Sequence, residues 1–138
     1  MICKTFPLEA GHSYRYVVVL SQYQGRLLLS RHKERTTWET QGGHIEAGER
    51  PETAACRELY EESGALEYTL RPLCGYWAGE EDGDGADGAV FLAEISRLGP
   101  MPPWEMAEIH SFETLPENLT YPAITPVLFR EAQAAGWF

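Results

Sequence analysis

Cysteine is scarce in this chain, since Cys3, Cys56 and Cys74 are odd in number, widely spaced and never paired as Cys-x-x-Cys. That excludes a disulfide framework and a cysteine-built zinc site, so the three thiols are expected to be reduced and structural. Long apolar runs are missing too. No stretch approaches the roughly 20 residues of a membrane helix, and Met1 to Pro7 lacks an apolar leader, so the expected location is the cytoplasm, away from any membrane. Positive charge is the third shortage. Lys and Arg number 11 against 21 Asp and Glu, for a formal net charge of −10, and this argues against duplex nucleic acid as a partner, because such binding neutralises many phosphates with basic side chains. A small anionic substrate then needs something local that reverses the sign, and a divalent cation held by clustered carboxylates does so.

What is present fits one soluble globular domain over residues 1–138, with 43% hydrophobic and 23% charged residues. Tyr16 to Leu20 and Arg26 to Ser30, separated by Gly25, read as a hairpin. Arg50-Pro51-Glu52 and Thr53 to Ser63 read as a helix with Pro51 in the first turn and Gly64 as its stop. Glu67 to Trp77 has β-forming content, Gly79 to Gly88 reads as an acidic loop, and Ala89 to Ile95 and Glu108 to Phe112 read as further strands. Pro122 to Ala135 reads as a closing helix with Val127 and Leu128 on its inner side. The succession implies a mixed α/β (α+β) fold, a sheet with helices on its faces.

Within the first helix, Glu58, Glu61 and Glu62 stand at i, i+3 and i+4 and share one face, while Ala55 and Leu59 turn toward the core. By themselves three such acids also describe an ordinary solvated face. The wider frame decides the reading: Gly43, five residues, Glu49, seven residues, Arg57-Glu58-Leu59, Tyr60, Glu61-Glu62, Ser63, Gly64, Ala65. This stretch, 43–65, resembles the signature of the Nudix hydrolase family, Gly-x5-Glu-x7-Arg-Glu-U-x-Glu-Glu-x-Gly-U with U aliphatic. Two departures are visible. Ala65 is smaller than the usual Ile, Leu or Val, and Gln41 stands where many members carry Pro, so packing and loop stiffness are expected to differ.

The resemblance implies an α/β/α sandwich with a mixed sheet between helices, in which Glu58, Glu61 and Glu62 ligate Mg²⁺, or Mn²⁺ as a substitute, with a main-chain carbonyl of Gly42 or Gly43. Oxygen ligands of this kind suit a hard ion that also binds substrate phosphates. Glu49 and Arg57 are assigned to support of the carboxylate rotamers, with direct phosphate contact as the alternative for Arg57. The catalytic base implied by the family is Glu58 or Glu62, or a Glu outside the box. Of Glu105 and Glu108, Glu108 is favoured, against the plainer reading of an exposed acid before a strand.

Arg31, Lys33 and Arg35 form the densest basic cluster, expected to meet substrate phosphates or else to be a solvated connector. Trp38, Tyr76, Trp77 and Phe112 are stacking candidates or core residues. His32, His44 and His110 have no partner spacing that supports chemistry. The implied activity is cleavage of a pyrophosphate bond in a nucleoside diphosphate-linked small molecule, foremost a nucleoside triphosphate, oxidised purines included, giving a monophosphate and pyrophosphate. Nucleotide sugars, dinucleotides and RNA 5′ ends are the alternatives, and a nucleotide-sensing module without turnover is the rival from another class. A homodimer is compatible with a domain of this size.

Overall fold

The computed structural model describes residues 1–137. Its elements in chain order are β1 (Ile2–Phe6), β2 (Tyr16–Tyr23), β3 (Arg26–His32), β4 (Gln41–His44), α1 (Pro51–Ser63), β5 (Ala65–Gly79), β6 (Gly85–Leu98), β7 (Met106–Phe112) and α2 (Thr125–Ala134). Seven strands form one sheet in the order β1-β5-β6-β2-β3-β7, with β4 paired to β2 off that path. The sheet is mixed because β2 runs parallel to β6 while the other pairs are antiparallel.

The β2–β3 hairpin follows from its turn. Gln24 and Gly25 both take positive φ, 54° and 78°, which matches the twist of a two-residue hairpin and lets Tyr23 pair with Arg26. The hairpin's alternation then fills both faces of the sheet. Val17, Val19 and Leu28 pack with Ala54, Ala55 and Leu59 of α1 on one side. Leu20 and Leu27 pack with Leu128, Phe129 and Ala132 of α2 on the other. The two helices therefore sandwich the sheet, each burying one apolar stripe. Leu128 is fully buried, whereas Val127 is only half-buried.

Three expectations shift. The acidic loop is confined to residues 80–84, because Gly85 to Gly88 pair with Tyr76 to Gly79. A Cβ at Gly85 would lie 2.5 Å from the Trp77 ring, and one at Gly88 would strike Tyr76. These glycines make room for aromatic rings and do not mark a turn. The closing helix starts at Thr125, since residues 122–124 form a turn before it. Strands β1 and β4 stood outside the expected set. Among the described residues no helix is long and apolar enough to cross a membrane.

Candidate functional site

Helix α1 begins with Pro51 after an extended Arg50 and ends where Gly64 turns left-handed at φ 81° and donates its N–H to Tyr60. That termination holds the last turn, with Glu61 and Glu62, over β4. Strand β4 belongs there because its two glycines permit close approach. Gly42 has φ +156°, and a Cβ on it would collide with the Val17 carbonyl. Its N–H donates to Glu62 Oε1 at 2.8 Å. A Cβ on Gly43 would sit 2.6 Å from Glu58 Oε1. The main chain at 42–43 is thus laid against two carboxylates of the helix.

Arg57 organises the other side. Its Nε and Nη2 donate to Glu49 Oε2 and Oε1 at 2.8 and 2.9 Å, a bidentate pair. Nη1 reaches Glu58 Oε1 at 2.8 Å and Glu61 Oε2 at 3.4 Å, and Nη2 also donates to the His44 carbonyl at 3.1 Å. The three box acids therefore divide, with Glu58 and Glu61 drawn to Arg57 and Glu62 turned inward to Gly42. Among the described residues no three His, Cys, Asp or Glu side chains stand together as a ready coordination shell, in contrast to the convergence expected from helical spacing.

The electrostatics separate these carboxylates. Arg57 holds Glu49 down to about 2. Burial pushes Glu58 up to about 7, with Arg57 opposing and Glu61 and Glu105 adding repulsion. Glu62, only 6% exposed, is pushed up to about 9, first by burial and then by Glu58, Glu39 and Glu105, against the partial relief of the Gly42 N–H. Buried acids that repel one another are the setting in which a cation is stabilised, since binding reverses both the desolvation and the repulsion. The donors are all oxygen, and the cradle at Gly43 leaves Glu58 room against the main chain, so the residues fit a hard divalent ion such as Mg²⁺.

Outside the box, Glu108 forms an ion pair with Arg31, 2.7 Å from its Nε. Strand alternation puts Glu108 on the same face as Phe112, which packs toward α2, away from α1. The outer acid whose charge reaches both Glu58 and Glu62 is Glu105. Of the basic cluster, Arg31 is engaged by Glu108, and Arg35 by Glu39 at 3.0 Å. Lys33 is exposed, makes no ion pair among the described residues, and donates its backbone N–H to the Glu105 carbonyl at 3.0 Å. Trp38, His110 and Phe112 form a ring cluster, with Trp38 and Phe112 centroids 5.1 Å apart. Tyr76 is buried, and Trp77 is half-buried.

Residues 11–130 match the NUDIX domain family. The chain belongs to the Nudix family. Its class is that of the Nudix pyrophosphohydrolases, enzymes that cleave an acid anhydride. A putative 8-oxo-dGTP diphosphatase of Bacillus subtilis (strain 168) is 29% identical over 136 residues, 91% of this chain and 84% of that protein. An RNA pyrophosphohydrolase of Francisella philomiragia is 38% identical over 64 residues, 46% of this chain and only 38% of that protein. The crystal structure of a Bacillus subtilis pyrophosphohydrolase superposes with a TM-score of 0.78 at 26% identity, covering 98% of this chain and 92% of that one.

Both departures from the Nudix pattern, one in the box and one just before it, are accommodated. Ala65 is 2% exposed in the core cluster under α1. Gln41, fully buried at the start of β4, bonds to Ser21, Leu28 and Ser30. Sequence reasoning missed Ser30, Glu39 and the site use of Gln41. Ser30 and Glu39 stand on a strand and in a connector with no motif, and only their pairing across to each other, N–H to carbonyl at 2.8 and 2.9 Å, brings them under the helix.

Proposed function

We propose that this Nudix protein is an Mg²⁺-dependent pyrophosphohydrolase whose foremost substrate is a nucleoside triphosphate, oxidised purines included, released as a monophosphate and pyrophosphate. The observation that carries the reading is the laying of the Gly42–Gly43 main chain against Glu62, which is buried, and Glu58, which is half-buried, both with raised pKa. Glu58, Glu61, Glu62 and a carbonyl of Gly42 or Gly43 would hold the cation. When bound, it supplies charge to the phosphoryl oxygens and lowers the pKa of water. Mn²⁺ would serve in its place.

The chain's own residues then have defined tasks. Arg57 sets the rotamers of Glu58 and Glu61 while Glu49 holds Arg57. Glu58, Glu62 or Glu105 takes the proton from the attacking water, and Glu108 steadies Arg31 at the rim. Lys33, tied to the Glu105 backbone, is the member of its basic cluster without an ion pair among the described residues, and with Arg31 and Arg35 it meets the substrate phosphates.

The substrate assignment rests on the Bacillus subtilis 8-oxo-dGTP diphosphatase relative, which is matched over most of its length. A second reading, an RNA 5′-end pyrophosphohydrolase, draws on the Francisella relative, of which this chain spans about two fifths. A cytoplasmic location and a homodimer remain part of the proposal. The deciding experiment incubates 8-oxo-dGTP, dGTP, a nucleotide sugar, a dinucleotide and a 5′-triphosphorylated RNA with enzyme and Mg²⁺, and scores pyrophosphate and phosphate. The first reading predicts the highest kcat/KM on a free triphosphate. Preference for the RNA end by tenfold or more would replace it with the second, and binding without turnover across the panel would favour a sensing module.

A further inference from the structure

We infer that Gln41 and Ser30 are positioning residues for the metal site, coupling the strand that carries Gly42 and Gly43 to the helix that carries Glu62. The inference rests on the metal reading above and adds residues outside the acidic face. Gln41 is fully buried, and both polar atoms of its amide are engaged. Its Oε1 accepts from Ser21 Oγ at 2.6 Å, and its Nε2 donates to the Leu28 carbonyl at 3.2 Å and to Ser30 Oγ at 2.9 Å. Ser30, also fully buried, passes the chain on by donating to the Glu62 main-chain carbonyl at 2.7 Å.

These bonds close a circuit. The Gln41 side chain leads through Ser30 to the backbone of Glu62, and the Glu62 side chain returns to the N–H of Gly42, the residue bonded to Gln41. Both ends of Glu62 are therefore referred to one point on β4. A proline at position 41, as many family members carry, stiffens the backbone but has no side-chain donor or acceptor with which to build this link. Here the amide replaces ring stiffness with a fixed distance between the ligating strand and the ligating helix. The bonds from Gln41 through Ser30 to the Glu62 carbonyl are buried and the return bond to the Gly42 N–H is part-buried, which makes the relay rigid when intact and disruptive when one member is lost.

Ser21 supplies the contrast, because it bonds to Gln41 on the side away from Glu62. The test measures Mn²⁺ binding to the full chain, without substrate, by electron paramagnetic resonance of the free ion, together with Tm. The proteins are wild type, Ser30→Ala, Gln41→Leu, the double variant and Ser21→Ala. Ser30→Ala and Gln41→Leu are each expected to raise the Mn²⁺ Kd by about tenfold. The double variant is expected to be no worse than the weaker single, since one relay can be cut only once. Ser21→Ala is expected to lower Tm with its Kd within about twofold of wild type.

Ser30→Ala binding Mn²⁺ as wild type does would overturn the inference while leaving the metal site standing. Losses that multiply in the double variant, or an equal loss in Ser21→Ala, would overturn it as well, because either result reports general loosening of the core. If Gln41→Leu does not fold, the comparison of Ser30→Ala with Ser21→Ala decides alone. Wild type that binds no Mn²⁺ overturns the metal reading and this inference with it.

Discussion

Glu62 is asked to be two things, a buried group in the folded chain and an anion toward a cation. Burial and then the neighbouring Glu58, Glu39 and Glu105 raise it to about 9, which favours the protonated form near neutrality in the absence of a cation. The sign of the pH effect follows. Its folded pKa lies above the ordinary carboxyl value of 4.5, so in chelator it contributes stability that is full below about 4.5 and is lost as pH rises through about 9. Thermal melts with chelator should show Tm falling across that window, and excess Mg²⁺ should restore it most at the alkaline end. Glu62→Gln, which mimics the neutral acid, should flatten this dependence and keep or raise Tm in chelator. Glu58, raised to about 7, adds in the same direction, so Mg²⁺ binding at neutral pH should release protons, measurable by titration in two buffers of different ionisation enthalpy. At Gly43 the contact is steric. Gly43→Ala places a methyl 2.6 Å from Glu58 Oε1, and the expected outcome is a fall of tenfold or more in kcat/KM with a raised Mg²⁺ requirement.

At the scale of elements, α1 serves two masters on opposite faces. Leu59 is fully buried in the core, and Leu59→Ala should cost about 2–5 kcal/mol in denaturant unfolding. Arg57→Ala removes the clamp that holds Glu49, Glu58 and Glu61 and should lower kcat by about ten- to a hundredfold, with a smaller loss for Glu49→Gln, which keeps one acceptor for the guanidinium. This helix was legible in the sequence because proline, glycine and the acid spacing all mark it locally. The β2–β3 hairpin was legible for the same reason. Strand β4 was not, since Gln-Gly-Gly-His has little strand propensity and becomes a strand only through pairing with Tyr16 to Val19. Nor was the pairing of Glu108 with Arg31, which depends on the β3–β7 register.

Over the whole molecule, the acidic balance and the local site pull against each other. A net charge of −10 repels polyphosphate, and the basic residues near the site are few and partly engaged. Raising ionic strength from about 20 to 200 mM should therefore leave kcat/KM unchanged or raise it, where a nucleic-acid-binding protein would lose affinity steeply. Stopped-flow or steady-state rates across that range check this. The box was legible in the sequence because its residues lie within one loop and helix. The substrate lies beyond what the box specifies, and the connectors 33–39 and 113–121 meet only through tertiary pairing, Trp38 with Asn118 and Thr120 among them. The central claim is that the acids of α1 hold the cation on which hydrolysis depends. Its most direct measurement is pyrophosphate release from the panel's preferred substrate over a Mg²⁺ series, for wild type and Glu62→Gln. Glu62→Gln should lose about a hundredfold or more and turnover should cease in excess chelator; full activity in either condition would mean that the acids of α1 do not hold the cation.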